Sequence, residues 1–141
     1  MTEHKPRYVF DTNTLVSAVL FEQSKPSQAF RKALRIGAVL TSPDALDELL
    51  DVLERDKFNR YVTREDREAF YAALVERAEV VEPKETIQEC RDANDNKFLE
   101  LAVEGGATAI VSGDNDLLVM NLFQNIPIIT PAAFLDLPSE T

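Results

Sequence analysis

Histidine and cysteine are almost missing from these 141 residues, with one of each, and glycine (four) and proline (seven) are sparse. Cys90 has no second thiol to pair with, and its neighbours Glu89, Arg91 and Asp92 give neither a CxxC nor a metal-ligand spacing, so it reads as a partly buried, inert thiol. His4 stands in a polar tail. With no other imidazole, the chain lacks a base for Ser-His or Cys-His nucleophilic catalysis and a histidine cluster for zinc. No GxGxxG or GxxxxGK[ST] run occurs, which removes the dinucleotide and P-loop phosphate cradles. Long apolar runs are lacking too. Residues 1–7 hold no apolar stretch of signal-peptide type, and no segment approaches the roughly 20 residues of a membrane span. The expected location is cytoplasmic, with no membrane partner. Low-complexity tracts and solenoid-like repeats are also absent.

What is present is enough apolar residue for one core. At 45% hydrophobic, the chain suits a single domain over residues 1–141, with its core over about 7–137. The net charge of −10 has the wrong sign for a surface that holds phosphate backbones. A carboxylate cluster filled by divalent ions becomes locally less negative, however, and basic strips can survive on an acidic protein. Two candidate strips are Arg31, Lys32 and Arg35, and then Arg55, Lys57, Arg60, Arg64 and Arg67. The plain alternative for both is solvated helix surface.

Periodicity sets the architecture. Tyr8-Val9-Phe10 is a compact apolar run that Asp11 ends, after which Leu15, Val16, Val19 and Leu20 recur at helical spacing. Pro26 opens a second helical stretch that Gly37 closes, and Ala38–Thr41 reads as a second strand. Ser42-Pro43 is a strong helix start: the hydroxyl caps free amides, and proline suits the first helical position. Leu46, Leu49, Leu50 and Leu53 then form a core stripe, with the helix expected to end between 56 and 60. Thr63 begins a further helix through Phe70 and Leu74, followed by a Val80-Val81 strand. Phe98 to Val103 gives a helix that Gly105-Gly106 terminates, Ala109-Ile110-Val111 a fourth strand, and residues 126–130 a fifth. Short, apolar strands alternating with helices predict an α/β domain, a three-layer α/β/α sandwich around a mostly parallel five-stranded sheet.

Carboxylates are the remaining reactive groups, and they recur in four signatures: Phe10-Asp11-Thr12-Asn13, Asp47-Glu48, Arg91-Asp92-Ala93-Asn94-Asp95, and Ser112-Gly113-Asp114-Asn115-Asp116. Ligand sites in open parallel sheets lie beyond the carboxyl ends of the strands, and Asp11 and Asp114 directly follow the first and fourth predicted strands. Both should share one rim. Asp95 opens the helix before the fourth strand and reaches that rim if the third strand ends near residue 82, after a long loop. Glu48 is less determined, because on a wheel of about 100° per residue it lies about 40° from Val52 while Glu54 borders the other side of the apolar face. Each acid alone also reads as a cap or a solvated residue. Together, three acids gathered at one edge make a hard-cation site suited to phosphoryl chemistry.

On these motifs the chain resembles a PIN domain, in particular the compact, single-domain, VapC-like PIN proteins of toxin–antitoxin pairs. The resemblance runs through nearly the whole chain and rests on residues 9–18, the helix from Ser42 with Glu48-Leu49, residues 91–99, and residues 111–118. The segment Ile126-Pro127-Ile128-Ile129-Thr130-Pro131 with Phe134-Leu135 adds to it. It implies a Mg2+- or Mn2+-dependent endoribonuclease with catalytic residues Asp11, Glu48, Asp95 and Asp114, and it is the resemblance that selects Glu48. Asp11, Asp95, Asp114 and Asp116 would hold the metal, with Asn13, Ser112 and Asp92 supporting them. The family more often has threonine where Ser112 stands; either hydroxyl can hydrogen-bond a carboxylate. The resemblance also implies an RNA substrate, an antitoxin partner and a homodimer. A basic antitoxin segment would lie on the apolar and acidic helices before Lys57.

Two other acidic, Mg2+-binding designs fit less well. A phosphoacceptor receiver domain needs a lysine after its last core strand, where Thr130-Pro131-Ala132-Ala133 stands, and a haloacid-dehalogenase-type phosphatase needs an acid at Asn13 for its general acid. The stronger rival is a PIN fold that binds RNA or protein without cleaving.

Overall fold

Arg7–Phe10 (β1), Ala38–Thr41 (β2), Glu79–Val80 (β3), Ala109–Val111 (β4) and Ile128–Ile129 (β5) form one sheet in the order β3-β2-β1-β4-β5, with every neighbouring pair parallel. These are elements of a computed structural model that describes residues 5–138; His4 lies outside them. The chain winds outward from β1 to β3, then crosses back to place β4 on the other side of β1. The strand order therefore reverses between β1 and β4, where parallel sheets open a crevice beyond their carboxyl ends.

Successive strand residues point to opposite faces. Tyr8 and Phe10 accordingly join one core layer with Val39, Ala109 and Val111, whereas Val9 joins the other with Leu40, Ile110 and Ile128. Both faces are apolar and both are covered. Thr12–Leu20 (α1), Lys25–Ile36 (α2), Pro43–Leu53 (α3) and Arg64–Arg77 (α4) feed the first layer through Leu15, Phe30, Leu49 and Leu74. Asn96–Gly105 (α5) and the short Asn115–Leu118 (α6) fill the second with Phe98, Leu99, Leu101 and Leu117. Pro131–Asp136 (α7) returns to the first layer, where Phe134 stacks edge-on against Tyr8, centroids 4.9 Å apart. The expected α/β/α sandwich is observed. Among the described residues, no helix is long and apolar enough to cross a membrane.

The expected punctuation is also present. Ser42 Oγ accepts from the Ala45 amide at 3.2 Å, Thr63 caps α4 in the same manner, and Gly106 ends α5 in the left-handed region at φ 62°; Thr130, read as a strand end, caps α7 as well. Some boundaries differ. β3 lies one residue earlier than the Val80-Val81 run, although the Val81 amide still donates to Thr41 O at 2.8 Å. The last strand is shorter than residues 126–130, because Ile126 pairs antiparallel with Phe123 in a tight loop. α3 stops at Leu53, ahead of the expected 56–60, and a 3-10 turn, Asp56–Phe58, follows.

Arg67 accounts for that early stop. Its guanidinium is fully buried and donates to Leu53 O, the last carbonyl of α3, at 2.6 Å, and to Asn59 Oδ1 at 3.0 Å, Arg55 O at 3.5 Å and Val62 O in the segment that follows. Lys32 does the same for α7. Buried, it donates to Phe134 O at 2.9 Å and Leu137 O at 2.6 Å. Each expected basic strip thus loses a member to the interior, and for these two residues the solvated-surface reading is corrected as well.

Candidate active site

Asp11 leaves β1 and caps α1: its Oδ1 accepts from the Thr14 amide at 3.0 Å, which fixes the side chain at the mouth of the crevice. Its Oδ2 accepts from Ser112 Oγ at 2.6 Å. Ser112, wholly buried at the end of β4, in turn accepts from the Asp114 amide at 2.9 Å. One hydroxyl therefore ties the ends of the two central strands together. Burial pushes the Asp11 carboxyl above its usual range; the bonds from Ser112 and Thr14 oppose this, and the neighbouring Asp114 charge adds to it.

Asp114 caps α6, with its Oδ1 accepting from the Asp116 amide at 2.9 Å. Asp95 closes a 3-10 turn, Ala93–Asp95, and starts α5 without capping it. It is only 8% exposed, and its Oδ2 is buried with no hydrogen-bond partner. Its pKa is pushed up to about 7 by burial, by a proton shared with Asp114, and by the charges of Asp114, Asp92 and Asp11. The long loop between β3 and this turn does deliver Asp95 to the rim.

Glu48 projects from α3 into the same cavity of about 140 Å³, whose walls include Asp11, Asp92, Asp95 and Asp114. It is the opposite of Asp95. Thr12 Oγ1 donates to one carboxylate oxygen, while Asn94 Nδ2 and Lys97 Nζ, the latter at 3.3 Å, donate to the other. Burial works to raise its pKa, but these bonds and the Lys97 charge prevail and hold it below the usual carboxylate range. Lys97 is braced by the Asn94 carbonyl at 2.6 Å and Asn94 Oδ1 at 2.9 Å.

Carboxylate oxygens of Asp92, Asp95, Asp114 and Asp116 lie within 4.8 Å of one another. Opposite ligands on an octahedral Mg2+ sit about 4.2 Å apart, so a small inward movement would close this set around one ion. An all-oxygen donor set with an orphaned buried oxygen fits a hard divalent cation. Asp11, expected among the ligands, lines the cavity but falls outside this group, with both oxygens already accepting hydrogen bonds. Asp92, expected only in support, falls inside it. Asp116 also pairs with Arg91 at 2.7 Å. Asn13 is exposed at the rim and makes no side-chain hydrogen bond to the acids among the described residues.

Thr12, Asn94 and Lys97 escaped the sequence reading. Thr12 and Asn94 sit inside the acidic signatures and Lys97 two residues past one, but their common target, Glu48, is distant in sequence and gives no local signal. Cys90 is buried, its thiol donating to Asp116 O at 3.3 Å, and burial raises its pKa.

Solved structures share this fold. PAE2754 from Pyrobaculum aerophilum aligns with a TM-score of 0.61 at 14% identity, over 92% of this chain and 87% of that one. VapBC2 from Rickettsia felis, bound to a DNA fragment from their promoter, gives 0.58 at 15% identity over 88% and 98%. VapC20 from Mycobacterium tuberculosis, a sarcin-ricin loop cleaving toxin, gives 0.56 at 12% identity over 85% and 98%. In sequence, an uncharacterised protein of Methanocaldococcus jannaschii is 28% identical, covering 96% of this chain and 94% of its own. Residues 7–116, from the start of β1 through Asp116, match the PIN domain family as a unit. With the strand order, the four acidic signatures and that match in agreement, the chain belongs to the PIN domain family.

Proposed function

We propose that this chain is a Mg2+- or Mn2+-dependent endoribonuclease, the toxin of a toxin–antitoxin pair, and that it works as a cytoplasmic homodimer. One observation carries the nuclease reading: Asp95, buried beside three other acids, keeps an unpartnered carboxylate oxygen and a proton near neutral pH. A proton there does what a cation would do. Asp95 and Asp114 would hold the ion, with Asp92 and Asp116 in reach and Asp11 bordering them. When bound, such an ion lowers the pKa of a coordinated water and offsets charge on a phosphoryl oxygen.

The chain's own groups do the rest. Ser112 and the α1 amide keep Asp11 in place, so the β1 and β4 ends cannot drift apart. Glu48 stays ionised through Thr12, Asn94 and Lys97, and a fixed carboxylate across the cavity can accept a proton from an attacking water and orient it. Asp95 must release its proton before the cation enters, so metal binding should strengthen as pH rises through about 7. RNA as substrate and an antitoxin as partner are extended from the loop-cleaving toxin and the VapBC assemblies among its structural relatives.

The test is cleavage of single-stranded RNA by the purified chain in Mg2+, in Mn2+ and in EDTA, with fragments mapped. Internal cuts that need the metal support the reading. Failure to bind Mn2+ in calorimetry would favour a PIN fold that binds RNA or protein without cutting. The partner has its own test, co-purification of a small basic protein encoded alongside. Thr12→Val, which keeps shape but removes the hydroxyl on Glu48, should lower cleavage about 10- to 100-fold in single-turnover assays while leaving the circular dichroism spectrum unchanged.

A further inference from the structure

The acid cavity is too small for a nucleotide. At about 140 Å³ it lies below the roughly 300 to 1,000 Å³ of small-molecule sites, a size that suits a phosphoryl group with a cation. A polynucleotide must place its sugars and bases outside, and the walls say where. A groove of about 430 Å³ opens directly from the cavity, sharing Asn13 and Asp114 with it, between the start of α2 and the start of α7. That volume falls in the range of small-molecule sites, about 300 to 1,000 Å³.

Its lining is distinctive in charge. Lys25 is its only cation and Asp114 its only carboxylate, and among the described residues Lys25 forms no ion pair. The cations nearer the acids are already neutralised, Lys97 by Glu48 and Arg91 by Asp116. On a chain of net charge −10, a lysine without an ion pair among the described residues, in a groove that adjoins the acid cavity, favours a backbone phosphate there. The other walls include Ser17, Pro26, Thr130 and Pro131, and no aromatic ring. Without a stacking platform, this surface holds the backbone and does not read a base.

Resting on the ribonuclease reading, we propose that this groove is a backbone subsite for the nucleotide next to the scissile bond, with Lys25 on its outer phosphate. Lys25 is then a positioning residue: it sets affinity and register without touching the reacting atoms. Gly113 offers a second handle, because a Cβ built there meets no atom within 4 Å while the residue lines the groove. A larger side chain would fill the subsite without displacing protein.

The experiment uses a fluorescein-labelled single-stranded RNA oligonucleotide with the purified full chain, measuring cleavage kinetics and, in an Asp95→Asn background, binding by anisotropy across a salt series. Lys25→Ala should raise KM about tenfold with kcat within about twofold, and it should reduce the slope of log affinity against log salt by about 0.7, the loss of one single-strand phosphate contact. The loss should be the same whichever base flanks the cut. Gly113→Leu should weaken binding to a similar degree. Unchanged KM and salt slope in Lys25→Ala, or a penalty confined to one flanking base, overturns the subsite. If the unmodified chain binds RNA but never cuts it, and Lys25→Ala still lowers the slope, the nuclease reading fails while the subsite stands.

Discussion

Asp95→Asn should reduce cation-dependent RNA cleavage by about three orders of magnitude, equivalent to about 4 kcal/mol of barrier, while raising the melting temperature of the metal-free chain. Both effects come from one carboxyl. As an ionised group it is the donor with the least to lose on meeting a cation, because its Oδ2 has no hydrogen bond to give up. Without a cation it is a burden, held protonated at pH values where an exposed aspartate is charged. The direction follows from linkage. Its folded pKa of about 7 lies above the usual 3.8. At acidic pH, folded and unfolded chains both carry the proton and nothing is lost; between about 4 and about 7 only the unfolded chain releases it, so stability falls as pH rises and the penalty is complete above about 7. Thermal melts in EDTA from pH 5 to pH 8 should therefore show a decline that Asp95→Asn flattens. A variant that still cleaves, or a wild-type melting temperature that rises toward pH 8, would contradict this account of Asp95.

Arg67→Met should destabilise the chain by about 3 kcal/mol or more, a fall of about 10 °C in melting temperature for a chain of this size. Methionine fills similar space but donates nothing. The carbonyls of Leu53, Arg55 and Val62 then lose a charged donor; Arg55 O keeps the Phe58 amide, whereas Leu53 O and Val62 O, where they stay buried, bear the full cost of an unmet acceptor. Arg67→Lys should rescue little, since an ammonium cannot span acceptors that a planar fork reaches in several directions. Lys57→Met on the neighbouring exposed turn is the control, expected within about 0.5 kcal/mol of wild type. Equal melting temperatures for Arg67→Met and Lys57→Met would remove Arg67 from its place in the fold. The stake extends to the site, because Arg67 secures the end of α3, and α3 carries Glu48.

The layered fold was readable because its central strands are apolar on both faces and two of its helices begin at Ser42 and Thr63 with side chains that cap. Gly37 and Gly106 marked ends equally well; a side chain at Gly37 would collide with Pro6 O. Arg67 and Lys32 were not readable, since a buried arginine and a solvated one look alike until the carbonyls they collect are placed nearby. The acids at the strand ends were legible for a topological reason, the rim shared by β1 and β4. The environment of Glu48 was not, because its partners arrive from residues 36 and 49 positions away. The split among the acids was equally hidden: composition cannot tell a carboxylate with every oxygen engaged from one with an oxygen bare.

Asp11 performs two tasks with a single side chain, starting α1 and bordering the acids, and the tasks differ in what they demand. Asparagine caps a helix about as well as aspartate, and its amide could donate to Ser112 where the carboxylate now accepts. A descendant with asparagine here would inherit the architecture intact and lose the negative charge. Chemistry can thus be shed along a lineage by one substitution that folding does not oppose. Under the nuclease reading proposed above, a relative with asparagine at this position would keep the fold while lacking one of the charges beside the cavity.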